Sequence, residues 1–90
     1  MIMLEIPEEQ TIRGLKFICT CEACPEQYDV FDGDKQVGYV RERHGKLRAD
    51  YPDVGGVVIY EHDLNSGGFE TQEEREYHLT KIAGQIIIKK

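Results

Sequence analysis

Three cysteines fall at positions 19, 21 and 24, in the stretch CTCEACPEQYD. Thiols so spaced have three uses. They can hold a metal: a tetrahedral zinc site takes four thiolate or imidazole ligands and often draws two from a C-x2-C knuckle, the spacing of Cys21 and Cys24. They can act as nucleophile or redox pair, which requires a thiol pKa depressed by a helix N-terminus or a nearby cation. Or they can serve as small apolar groups at the end of a strand. Glu22 and Glu26 flank the cluster and disfavour a thiolate, and no histidine lies beside it in sequence. Catalysis is therefore not expected of these thiols. Cys19, Cys21 and Cys24 with His44, His62 or His78 would make a three-sulfur, one-nitrogen zinc site, and burial without metal is the plainer alternative.

A second group of residues offers charge instead. Residues 35 to 50 hold five bases and two acids, whereas residues 1 to 34 hold eight acids and two bases and residues 51 to 90 seven acids and four bases. Within the basic segment, a hairpin turning at His44 and Gly45 pairs Arg43 with Lys46, Arg41 with Arg48 and Val40 with Ala49. Four cations then share one face, with Tyr39 next along it. Such a face binds an anion: a phosphate, an acidic loop on a partner protein, or a nucleic acid with Tyr39 stacking on a base. Like charges set opposite one another also destabilise a sheet. The alternative is a solvated face neutralised by Glu42, Asp50 or the acidic start of a helix. The net charge of −6 favours a protein partner over nucleic acid.

The elements that must carry these residues are legible from periodicity. Leu15, Phe17, Cys19 and Cys21 fall on one face of a candidate strand, with Lys16, Ile18 and Thr20 on the other. YDVFDGDKQVGYV reads as strand, turn and strand, with Asp32 and Gly33 tolerating the positive φ of a tight turn. Pro52, Gly55 and Gly56 interrupt the pattern before GVVIYEHD, a further strand rich in β-branched residues. EIPEEQTIRG is linker-like and could hold a short strand at Met3 to Ile6.

DLNSGG is a loop by composition, and Thr71 with Glu74 three residues on forms a capping box that starts a helix. Leu79, Ile82, Ala83 and Ile86 give that helix one apolar face and leave Tyr77 and Ile88 opposite it. Gly84 and the run of isoleucines after it could end the helix and begin a strand, but a helix to the C-terminus is the better reading. The expectation is one α+β domain over residues 1 to 90: a mainly antiparallel sheet of four or five strands built from consecutive hairpins, with one C-terminal helix on a face.

Two resemblances touch short stretches. Cys21, Cys24 and Pro25, with Tyr51, Pro52, Asp53, Val54, Gly55 and Gly56, resemble the two knuckles of a zinc ribbon. The second knuckle has Tyr51 and Val54 where that family has cysteines. The resemblance implies hairpins joined by apolar contact instead of metal, with Tyr51 close to the cysteines. YDVFDGDKQVGYVRER is similar to the early sheet of acetyl-CoA-dependent acetyltransferases, but the phosphate-cradling loop of that family has no counterpart.

No P-loop, serine-nucleophile motif or H-E-x-x-H helix is present, and no catalytic residues are expected. The chain opens with no basic leader and no apolar run long enough to span a bilayer, so a cytoplasmic protein without membrane or disulfide framework is expected. The leading expectation is a small non-enzymatic binding or regulatory protein. Its contact surface for a protein partner would be Tyr39, Arg41, Arg43, Lys46 and Arg48. A structural zinc domain is the alternative, and an acidic inhibitor of a nucleic-acid enzyme a further one. A homodimer through an exposed strand is also open.

Overall fold

The structure is a computed structural model that describes residues 8–21, 26–64 and 68–90. Its strands are β1 (Glu9–Ile12), β2 (Leu15–Cys21), β3 (Glu26–Asp32), β4 (Lys35–Arg43), β5 (Lys46–Tyr51) and β6 (Val57–Asp63), followed by one helix, α1 (Gln72–Lys89). Among the described residues the strands form one antiparallel sheet in strict sequence order, β1-β2-β3-β4-β5-β6, and α1 lies across one face. The α+β arrangement with a C-terminal helix is as expected, but the sheet has six strands, not four or five.

The additional strand is β1, in the segment that reads as a linker. Its four residues EQTI alternate only weakly in polarity, and the turn that folds it onto β2 is made by Arg13 and Gly14 at φ 52° and 83°. Two positive φ values make the type I′ geometry whose twist matches antiparallel strands, but arginine is not a residue that advertises it. His44 and Gly45 repeat the device between β4 and β5 at φ 52° and 80°. Between β3 and β4, Asp32 pairs with Lys35, so the loop is Gly33–Asp34, one residue later than the sequence suggests. The strand expected at Met3 to Ile6 lies outside the described residues.

Leu15 and Phe17 from β2, Tyr28 and Val30 from β3, Val37 and Val40 from β4, and Leu47 and Ala49 from β5 form the inner face of the sheet. Leu79, Ile82, Ala83 and Ile86 cover it, as the helical spacing requires. The helix approaches β4 so closely that a Cβ on Gly38 would lie 2.6 Å from Ile86 Cδ1 and 3.3 Å from Val30 Cβ. This contact explains why α1 runs past Gly84 through three isoleucines: burial of Ile86 outweighs the weak strand preference of β-branched residues. At the other end Thr71 Oγ1 accepts the Glu74 N–H at 3.0 Å, while Glu74 Oε1 accepts from Glu70 N at 2.7 Å, one residue earlier than a standard capping box. No helix is long and apolar enough to cross a membrane among the described residues.

Candidate partner-binding face

The β4–β5 ladder pairs Tyr39 with Asp50, Val40 with Ala49, Arg41 with Arg48, Glu42 with Leu47 and Arg43 with Lys46. Val40, Glu42, Leu47 and Ala49 are buried against the core, so strand alternation turns Tyr39, Arg41, Arg43, Lys46 and Arg48 to the outer face. All five expected residues therefore lie together. The four cations line a shallow groove of about 350 Å³ whose far rim is β6, with Glu61, His62 and Asp63.

Charge on this face is only partly balanced. Arg48 Nε lies 3.2 Å from Asp50 Oδ1, and Asp50, only 1% exposed, accepts the Gly55 N–H through Oδ2 at 3.1 Å. The register shift between Ala49 and Asp50 is taken up in β6, where Ile59 is the extra residue, so Asp50 stays opposite Tyr39 on the face of Arg48 and is buried there with the Gly55 N–H on its carboxylate. Lys46 Nζ is 3.5 Å from Asp63 Oδ1, but both side chains are highly exposed, and such a pair contributes about 0–1 kcal/mol. Among the described residues, Arg41 and Arg43 make no ion pair.

Glu42, the acid between them in sequence, faces the core. Its Oε1 accepts the Gly45 N–H at 3.1 Å, and burial raises its carboxyl pKa above the ordinary range. Of the two acids expected to neutralise the face, Asp50 thus reaches one arginine and Glu42 none. Tyr39 is held by Gln27, whose Nε2 donates to the phenol oxygen at 2.7 Å from a position opposite Arg41. Gln27 belongs to this face as well, although the charge pattern does not single it out. It is accessible in principle, since its register follows once the β3–β4 hairpin is placed.

Beneath the hairpin lies a buried polar network. Glu26 sits opposite Glu42, and Arg75 of α1 reaches it with two bonds, Nε to Oε2 at 2.9 Å and Nη2 to Oε1 at 3.2 Å. The Tyr28 hydroxyl donates to the same carboxylate, and burial, then Glu26, pushes its pKa well up. Further along, Tyr60 Oη and His78 Nδ1 are 2.8 Å apart, and the His62 and His78 rings lie 4.5 Å centroid to centroid. Desolvation lowers the pKa of His78, helped by His62 and opposed by Glu74.

The cysteines do not gather as the alternation implies. A bulge between Cys19 and Cys21 leaves Cys19 opposite Tyr28, packed against the core, and sets Cys21 opposite Gln27, whose side chain belongs to the outer face. Cys19 Sγ lies 3.4 Å from the Cys21 carbonyl oxygen. Cys24 lies outside the described residues. Tyr51 ends β5, with β3 and β4 between it and β2. Three strand spacings put it roughly 14 Å from the cysteine strand, and its register partner Val57 is several rows from that of Cys21. Tyr51 therefore does not join Cys19 or Cys21, and the expectation that it lies close to them fails because the hairpins follow one another across the sheet. Among the described residues, no group of three or more His, Cys, Asp or Glu side chains is arranged to hold a metal ion. Comparisons with protein-family models, with curated proteins and with solved structures gave no match.

Proposed function

We propose that this chain is a small non-enzymatic binding or regulatory protein that captures an acidic segment of a protein partner on the outer face of β4 and β5. The observation that carries this reading is the state of Arg41 and Arg43, which stand on an outward face with no ion-pair partner among the described residues while the intervening Glu42 is turned into the core. Guanidinium groups two residues apart on one face of a strand suit carboxylates, which they can engage with two parallel hydrogen bonds each. Tyr39, held by Gln27, extends the row with an apolar ring. A folded scaffold presenting these groups loses less conformational entropy on binding than a flexible basic segment would.

The test is a binding titration with a fluorescent Asp/Glu-rich peptide. Replacing Arg41, Arg43 and Arg48 together with alanine should weaken binding by about a hundredfold, while the melting temperature changes little. Equal binding by the variant would sink the proposal. Tighter binding of a single-stranded oligonucleotide than of the peptide would reassign the face to nucleic acid.

A further inference from the structure

We propose that the outer face of α1 is a self-complementary interface through which two copies of this chain associate with their helices antiparallel. Opposite the buried stripe of α1 runs a second one: Glu73, Tyr77, Thr80, Gly84 and Ile88 follow one another at helical spacing. It borders a shallow groove of about 720 Å³ that reaches the β1–β2 turn at Arg13. Tyr77 is 57% exposed and Ile88 76% exposed, although both lie in the middle or last turns of a well-packed helix.

Gly84 is the residue that needs an external explanation. Glycine is unfavourable in a helix interior, and here it meets no internal demand: its φ is helical, and a Cβ added to it would find no atom within 4 Å. What its missing side chain creates is a notch on the outer stripe, two turns from an exposed tyrosine ring. An antiparallel two-fold axis passing between Thr80 and Lys81 sets Tyr77 of each copy against Gly84 of the other. The same axis sets Glu73 against Ile88. Each ring then fills the other's notch, which is the isologous pattern of a two-fold dimer.

Charge selects the second copy, and its direction, from among possible occupants. The N-terminal end of the groove carries Glu73 and Glu76, and the C-terminal end carries Arg13 beside the groove and Lys89 in the last turn. Antiparallel pairing brings acids against bases at both ends and opposes the two helix dipoles, whereas parallel pairing stacks acid on acid. The helix of 18 residues is about 27 Å long. One helix face with the adjoining turn is at the small end of stable interfaces, which bury roughly 800 Å² per partner, so the dissociation constant should be on the order of micromolar.

Sedimentation equilibrium over a wide range of protein concentration reads the association directly. The unaltered chain should pass from monomer to dimer. Gly84→Leu fills the notch with a good helix former, so it should weaken dimerisation by about tenfold or more without lowering the melting temperature. Tyr77→Glu should do the same. Glu73→Lys with Glu76→Lys should weaken it too, and adding Arg13→Glu and Lys89→Glu to that variant should restore it. A chain that stays monomeric at every concentration overturns the proposal and leaves the groove to a different protein. A dimer indifferent to both Gly84→Leu and Tyr77→Glu overturns it as well, and points to the β6 edge instead.

Discussion

Glu42 lies between Arg41 and Arg43 in sequence and neutralises neither, because a period of two sends alternate residues to opposite faces. That much is legible in the sequence: the spacing of the four cations is enough to put them on one face. The burial of Asp50 is not, since it keeps its place opposite Tyr39 and is enclosed only because the turn after β5 brings the Gly55 N–H onto its carboxylate. Inside the hairpin the important residue is Arg75, which joins Glu26 across 49 positions and is itself buried. Local pattern carries no trace of such a pairing. Removing one partner of a buried ion pair leaves the other unpaired in a poor solvent, at a cost of about 3–5 kcal/mol. Arg75→Met should therefore lose about that much stability in urea denaturation. Arg75→Met combined with Glu26→Gln should recover a good part of it, because the amide still meets the Tyr28 hydroxyl and no charge remains. A double variant as unstable as the single one would show that Arg75 acts through packing on Phe69, whose ring centre is 5.6 Å away, and not through charge.

At the scale of elements, sequence and structure agree where a local signal coincides with tertiary packing. The β4–β5 hairpin has its His-Gly turn, and α1 has its Thr71 cap and its apolar face. They part where packing decides alone. β1 exists because β2 needs an edge partner, and its turn is made by an arginine in a conformation that few arginines adopt. The seating of α1 depends on Gly38, where a methyl group would enter the space of Ile86 and Val30. Gly38→Ala should cost about 1–3 kcal/mol through overpacking. In an Ile86→Val background, which removes the clashing Cδ1, the same change should cost less, and thermal unfolding of the four proteins gives the coupling directly.

The other end of the helix rests on β6 through His78. This imidazole faces Tyr60 and His62 on the sheet, Phe69 before the helix, and Glu74 and Tyr77 on its own element. Its folded pKa is lowered, so the unfolded chain binds more protons once the pH drops below about 6.5. The stability it contributes is complete above that value and is lost as the pH falls. Glu42, raised instead, acts in the opposite sense and only in the carboxylate range. The melting temperature should thus drop between about pH 7.5 and pH 5.5, and His78→Gln should flatten that drop. A profile unchanged by the substitution would assign the acid sensitivity elsewhere.

Across the whole molecule, the arrangement of charge follows from the plainness of the topology. Because neighbouring strands in sequence are neighbours in the sheet, the basic segment 35 to 50 stays in one piece, flanked by β3 on one side and β6 on the other. A crossover connection would have scattered it. Outside the segment stand fifteen acids and six bases, and Glu61 and Asp63 of β6 line the very groove that the cations form. A partner approaching from a distance meets a protein of charge −6, and only within about a Debye length, roughly 10 Å at 0.1 M salt, does it meet the basic face. On the proposed reading this field disfavours long polyanions such as nucleic acid, which cannot touch the face without also lying along its acidic surroundings. A short acidic peptide can. Its association should be governed by the rim: Glu61→Gln with Asp63→Asn should raise the association rate by about tenfold at low salt, and leave the dissociation rate nearly unchanged, because neither side chain holds the bound peptide. Stopped-flow measurement at low and high salt separates the two rates. If the rim variant instead slowed dissociation and left association alone, the acids would be competing for the arginines at contact distance, and the groove would have to be regarded as internally neutralised.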